Sequence, residues 1–326
     1  MDLFVDVASQ YRSFADDAQD SPCFEQWAQG VAGDEEVMAW IAELPQIKQQ
    51  PNLVFAAARW HGVPAPGPYA ALREALLSDQ GPIRTTIMER STQTNEVGRL
   101  ATLTPVFAQI EAEAGRPLAL VEAGASAGLC LYPDHYNYDW VPKHQRTGSG
   151  GPTLSCAVHG QPPPPSALPT ITWRGGIDLN PLDVQDTDAM AWLTNLVWPE
   201  QDDRRLRLEA AIDIARQDPP HLAPGNILTD LRKHIGIASQ YGQVVVFHSA
   251  VIAYLTTEER AQFQSQMIEL VEEGLCRWVS NEGKNVLPEI TATGPSVPAD
   301  RPTFVLALDG QALAWTHGHG ASMTWL

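Results

Sequence analysis

Residues 118–129, reading LALVEAGASAGL, constrain this chain more than any other stretch. Four apolar residues are followed by an acid, Glu122, and then by the small-residue run 123–128. A short apolar run feeding a glycine-rich turn is how a buried parallel strand ends at a ligand site in an open α/β sheet. The turn fits two incompatible patterns. As E-x-G-x-x-x-G, with Glu122, Gly124 and Gly128, it reads as a nucleotide-binding loop, whose glycines let backbone approach a ligand. As G-x-S-x-G, with Gly124, Ser126 and Gly128, it reads as the nucleophile elbow of a serine hydrolase. The two predict different chemistry, and the rest of the chain has to decide.

What precedes the turn is helical. Phe4, Val7, Tyr11 and Phe14 fall at helical spacing, and shorter helices are expected at 24–31, 35–44, 51–60 and 69–77. Within 90–115 a further helix is expected, capped by Asn95, containing Pro105 and ended by Gly115, with Pro117 blocking continuation. Its start, Gln93-Thr94-Asn95-Glu96, reads either as a helix cap and turn or as donors and acceptors lining a site. No strand is expected before residue 117, whereas a hydrolase elbow follows several strands.

From 117 onward strands and helices alternate. After the turn, the aromatic run 128–140 begins as a helix that Pro133 limits, and a Gly- and Pro-rich insertion, 143–169, carries one strand at 153–158 and the extended run 162–165. Strands are expected at 170–178, 221–225, 242–249 (the clearest buried one) and 275–280. Helices are expected at 189–198 and 203–217 and after Asn226, and Thr256 with Glu259 forms a capping box for another. Asp309-Gly310 closes a hairpin of 303–308 with 312–315. The fold class expected is α/β: a Rossmann-like, doubly wound, mostly parallel sheet ending in an antiparallel hairpin. Two domains follow, an N-terminal helical cap at 1–115 and a core at 116–326.

Charge narrows the partners. With 21 Lys and Arg against 39 Asp and Glu, the net charge is −18. Such a chain argues against nucleic acid and suits a small molecule or a basic protein. No apolar run of about 18 residues predicts a membrane span, and the acidic N-terminus lacks the basic segment of a secretory signal, so a cytoplasmic location is expected. The four cysteines, at 23, 130, 156 and 276, form no C-x-x-C pair and suit reduced thiols. His317-Gly318-His319-Gly320 supplies two metal ligands where zinc takes three or four, so no metal is expected and the segment reads as a flexible tail.

The nucleotide reading names a set of residues. An acid ending the second strand serves ribose hydroxyls, and Asp178 stands there. It lies 50 residues past Gly128 (178 − 128), not about 20, and the insertion accounts for the excess. Asn226 follows the third strand, and His248-Ser249 ends the fourth.

This arrangement resembles the class I methyltransferases that bind S-adenosylmethionine. The resemblance implies that Glu122, Gly124, Ser126 and Gly128 shape the cofactor loop, with Ser126 where the family has its middle glycine. It implies Asp178 on the ribose and Asn226 near the adenine, where Asp is commoner. Gln93, Asn95, Glu96 and Ser249 then lie on the substrate side. His248 is either a general base or a hydrogen-bonded core histidine. One or two of the ten tryptophans would hold the sulfonium. The chain also resembles a bacterial domain-of-unknown-function family with a methyltransferase-like core, through QTNEVGR (93–99), LVEAGASAGL (120–129), WRGGIDLNPLDV (173–184), VWPEQ (197–201), VVFHSAVIAYL (245–255) and WVSNEG (278–283). That likeness implies the fold and not a reaction: the chain is a methyltransferase if it is an enzyme.

Two alternatives stay open. A non-catalytic nucleotide-binding or scaffold protein on the same fold is favoured by Ser126 and Asn226, which depart from the methyltransferase pattern. A serine hydrolase would use Ser126, then Asp178 or Asp183, then His317 or His319. Against it, a carboxylate beside the nucleophile opposes the oxyanion that builds up there.

Overall fold

A computed structural model of the chain describes residues 6–142, 144–146, 150–160, 167–297 and 303–326. The chain begins with α1 (Val7–Asp17), α2 (Pro22–Ala32), α3 (Glu35–Ala42), α4 (Pro51–Trp60), α5 (Tyr69–Leu77) and α6 (Pro82–Glu89). Next α7 (Leu100–Ala114) leads into β1 (Leu118–Ala123). Three strands, β2 (Asn137–Val141), β3 (His144–Arg146) and β4 (Thr153–His159), come before β5 (Ile171–Asp178). Then follow α8 (Thr187–Asn195), α9 (Asp202–Gln217), β6 (His221–Pro224), α10 (Ile227–Ala238), β7 (Gln243–Ser249), α11 (Thr257–Glu272) and β8 (Arg277–Gly283). The chain closes through α12 (Pro288–Thr291), β9 (Phe304–Leu308), β10 (Gln311–Thr316) and β11 (Ser322–Trp325). The expected run at 162–165 and the positions of Phe4 and Lys143 lie outside the described residues.

The backbone packs as two units, Met1–Thr94 with Thr187–Leu206, and Asn95–Asp186 with Arg207–Leu326. The first is helical. Helices α1, α2 and α3 start where side chains satisfy free backbone N–H groups of the first turn: Asp6 accepts from Ser9 N, Asp34 accepts from Glu36 N and Val37 N, and Ser21 caps α2 with Pro22 at its first position. Its core gathers Tyr11, Phe24, Trp27 and Phe55 with Trp192 and Leu196. The VWPEQ motif belongs to this unit. Glu200 accepts from Cys23 N (2.8 Å) and from Ser21 Oγ, Trp198 Nε1 donates to Asn52 Oδ1 (2.9 Å), and Arg59 Nη1 donates to the carbonyls of Asn195 (2.9 Å) and Val197 (2.7 Å).

The second unit is α/β. Among the described residues its strands form one eleven-stranded sheet in the order β3-β2-β4-β11-β10-β9-β8-β7-β1-β5-β6. The pairs from β6 through β8 are parallel, those from β8 through β11 antiparallel. The sheet is therefore mixed, mostly parallel, with antiparallel strands toward the C-terminus. Numbered by succession, β6-β5-β1-β7-β8 is the 3-2-1-4-5 order of a doubly wound sheet, and the order reverses between β1 and β7.

Side chains alternate across a strand, and this sets which groups meet. Ala119, Val121 and Ala123 pack with Val244 and Val246 against Leu231 of α10 and Phe263 and Met267 of α11. The opposite face carries Phe247, whose ring lies 5.3 Å from that of Phe107 on α7. Glu122 is in register with Phe247 and so points to the α7 face.

Several expectations change. The helix starts at Leu100, behind a 3₁₀ turn at Val97–Arg99. Asn95 does not cap it; Glu96 caps the 3₁₀ turn by accepting from Gly98 N. Residues Leu129–Leu131 form a 3₁₀ turn, and no helix follows β1: the chain runs on into β2. The C-terminal segment is not a loose tail. His317–Gly320 turns β10 into β11, which pairs with β10 and with β4.

Candidate functional site

The site is built at the carboxyl end of β1. Glu122 is buried, and burial pushes its carboxyl well above the usual carboxylate range; the Asp178 charge adds to this and Arg99 opposes it. Its Oε2 has no hydrogen-bond partner. The turn that follows is left-handed at Gly124 (φ +75°), Ser126 (φ +51°) and Gly128 (φ +70°). For Ser126 this conformation is costly, and contacts from outside the turn hold it there.

Those contacts use up the turn's amides. Gly124 N (2.8 Å) and Ala125 N (3.1 Å) donate to Ile177 O, and Gly128 N donates to Ala125 O (2.7 Å). Ser126 N donates to Asp178 Oδ2 (2.8 Å), and Leu129 N donates to Asn95 Oδ1 (2.7 Å). Gly176 lets the turn lie this close to β5, since a Cβ there would stand 2.5 Å from Ala125 Cβ. The WRGGID run is thereby explained by packing. Where a phosphate-binding loop presents free N–H groups, this turn presents few. Ser126 Oγ, by contrast, is buried without a partner.

Gly124 has its own close neighbour. A Cβ at that position would stand 2.4 Å from Val251 Cγ1 and 2.6 Å from Cγ2. Val251 follows β7, on a loop in which Ala250 is left-handed (φ +57°). This loop is anchored by Glu282 on β8. Its Oε1 accepts from Val251 N (3.0 Å), Ile252 N (3.2 Å) and His248 Nδ1 (2.7 Å).

His248 is fully buried, and its other nitrogen, Nε2, accepts from Trp278 Nε1 (3.1 Å). The Trp278 donor fixes the tautomer: Nδ1 carries the proton given to Glu282. Both ring nitrogens are engaged by protein groups. It sits as a hydrogen-bonded core histidine, and a role as general base finds no support here. Ser249 accepts at its carbonyl from Arg99 Nη1 (2.8 Å) and at Oγ from Asn281 Nδ2 (3.0 Å).

The remaining expected residues fall as follows. Asp178 also accepts from Asn180 N at Oδ1 (2.8 Å), so both its oxygens hold backbone. Asn226 caps α10, accepting from Leu228 N (2.9 Å). Glu96 is buried, accepts from Gly98 N (2.9 Å) and takes the Cys130 thiol at its carbonyl (3.5 Å). Gln93 lies in the helical unit, where Ser91 Oγ donates to it (3.3 Å). Glu122, Gly124, Ser126, Gly128, Asp178, Asn95, Glu96, His248 and Ser249 are all parts of the α/β unit.

Two arginines escaped the sequence reading. Arg99 joins the ends of two strands' loops, donating to Ser249 O and, through Nε, to Gly318 O (2.9 Å). Arg174 on β5 is buried and makes a paired contact with Asp134 (2.9 and 2.7 Å) while donating to Leu131 O (2.7 Å). An arginine inside an otherwise apolar strand was the available signal, since such a charge needs a partner. A cavity of about 250 Å³, lined in part by Leu182, Asp183, Pro220 and Leu222, lies beside the turn, where Leu182 N donates to Ser126 O (2.9 Å). It falls just below the ~300–1,000 Å³ of small-molecule sites. Among the described residues no three His, Cys, Asp or Glu side chains group as metal ligands, and no helix is long and apolar enough to cross a membrane.

A family model described as "Uncharacterized protein conserved in bacteria (DUF2332)" matches residues 8–325. The chain belongs to this family. No curated protein and no solved structure matches it. In this DUF2332 chain the matched span covers both units, so the helical unit and the β1 turn alike are family features.

Proposed function

We propose that the chain binds S-adenosylmethionine over the carboxyl ends of β1, β5 and β7, on a methyltransferase-like core, and passes the methyl group to a small-molecule or protein acceptor. One observation carries this reading. The strand order reverses between β1 and β7, and a buried carboxyl group with an unpartnered oxygen, Glu122, ends β1 at that switch point. Open α/β sheets take their ligands there.

The polar chemistry of the residues fits such a ligand. Glu122 Oε2 and Ser126 Oγ are buried atoms without partners, which polar groups of a ligand would satisfy. Asp178 ends β5 beside this turn, where an open α/β sheet places the acid that meets ribose hydroxyls. Bound there, S-adenosylmethionine would supply an electrophilic methyl group on sulfur. The chain's own contribution is alignment and exclusion of water. Asp178, Asn95 and Ile177 hold the turn rigid, and Glu282 with His248 holds the facing loop.

A second reading is a nucleotide-binding or scaffold protein without methyl transfer. The engagement of both His248 nitrogens favours it, because it occupies the one base expected on the acceptor side. The serine hydrolase finds no triad support, since Ser126 Oγ has no histidine partner.

Calorimetric titration with S-adenosylmethionine, and with its demethylated product, tests the proposal. Saturable heat that Asp178→Ala weakens by about tenfold or more is the expected result. Absence of heat at millimolar ligand would reject the cofactor and leave the scaffold.

A further inference from the structure

Room for a ligand at the switch point is taken by protein. Gly124 has no side chain, and the methyl groups of Val251 occupy the volume a side chain would fill. Val251 is part of the short piece 250–251 between two clamped ends. On one side Arg99 holds the Ser249 carbonyl. On the other Arg260 donates to the carbonyls of Ile252 (3.2 Å), Ala253 (2.6 Å) and Leu255 (3.0 Å). Ala250, inside that piece, sits left-handed at φ +57°, a conformation an alanine readily leaves. Glu282 Oε1 accepts from Val251 N, Ile252 N and His248 Nδ1, while Ala250 N donates to Asn281 O (3.2 Å) and Tyr254 N donates to Val251 O (3.1 Å). On either side of Gly124 in the chain, two buried polar atoms, Glu122 Oε2 near the end of β1 and Ser126 Oγ in the turn, lack partners.

We infer that this crevice is a closed ligand site: Val251 plugs it, Glu282 latches the plug, and rotation at Ala250 swings Val251 away to admit the ligand. The occupant rests on the reading above, an adenosyl ligand; the movement does not. Opening breaks the backbone hydrogen bonds that Val251 N and Ile252 N make to Glu282, strains those of Ala250 N to Asn281 O and Tyr254 N to Val251 O, and uncovers Gly124, whose lack of a Cβ then serves the ligand instead of Val251. Affinity in such a site is reduced by the fraction of molecules that are open.

Two measurements test this together. The first is calorimetry with S-adenosylmethionine on the parent and on Val251→Ala, which removes the plug's two methyl groups. Tightening by about tenfold supports a closed site; equal affinities overturn it and leave the cofactor reading standing. The second needs no ligand. In Ser126→Cys, the introduced thiol is challenged with a small methanethiosulfonate reagent and its labelling is followed by mass spectrometry. The buried native Cys276 reports wider unfolding in the same sample. Labelling about tenfold faster than Cys276, and faster still with Val251→Ala added, is the expected signature of local opening. Labelling at the Cys276 rate, unchanged by Val251→Ala, overturns the movement. If neither protein binds S-adenosylmethionine, the cofactor reading fails, and the labelling alone upholds or rejects the plug.

Discussion

The contact between Gly124 and Val251 makes a strong prediction that is independent of function. In Gly124→Ala the new Cβ would stand 2.4 Å from Val251 Cγ1, 2.6 Å from Cγ2 and 3.1 Å from Cβ, well inside van der Waals contact. The residue also sits at φ +75°, where an L side chain costs about 1–2 kcal/mol. Overpacking a filled site adds about 1–3 kcal/mol. The substitution is therefore expected to destabilise the α/β unit by about 2–5 kcal/mol. Only the steric part depends on Val251. A double-mutant cycle with Val251→Ala should recover about 1–3 kcal/mol and leave the backbone part in place. Native-state hydrogen exchange at Val121 and Val245, on β1 and β7, reads this unit without interference from the helical one. A coupling within about 0.5 kcal/mol of zero would show that Val251 does not fill the space beside Gly124, and the closed-site inference would fall with it.

Other outcomes follow from the same geometry. Burial raises the Glu122 carboxyl above its ordinary 4.5, so the folded protein keeps a proton the unfolded chain has released, and stability falls as pH rises from 4.5 toward the raised value. Glu122→Gln should therefore be more stable than the parent across that range and equal to it below, as read from denaturant midpoints between about pH 4 and pH 8. Arg174→Met strands Asp134 and the Leu131 carbonyl and should cost about 3 kcal/mol, with part recovered by adding Asp134→Leu; no recovery would show that the ion pair is not what the variant loses. A fluorophosphonate probe should leave Ser126 unlabelled, because no histidine meets its Oγ; labelling that Ser126→Ala abolishes would reinstate the hydrolase.

How much of this was legible depended on distance along the chain. The capping box at Thr256 and Glu259, the buried runs of β1 and β7, and the Asp309-Gly310 hairpin are short-range features, and each formed where expected. β11 was missed because its four residues carry little period of their own, and of its two partners one, β4, lies more than 150 residues away. VWPEQ looked like part of the core domain; Glu200 instead closes the start of α2, nearly 180 residues upstream. Asn95 had the right chemistry for a cap and spent it on Leu129 N, since the helix started four residues later than a cap at Asn95 would place it, with its cap position at Arg99 (99 − 95).

The β1 turn shows where the boundary falls. The sequence alone determined a buried strand, an acid at its end, and glycines at Gly124 and Gly128 able to take positive φ, because these rest on local sterics and on what an apolar run must bury. It could not determine what the turn's amides and small surfaces face. That was decided by tertiary structure, which brings Ile177 and Asp178, Asn95, and Val251 to one place from three separate parts of the chain. A backbone N–H must find a partner once it is buried, and which partner it finds depends on the elements that arrive beside it, not on the residues that flank it.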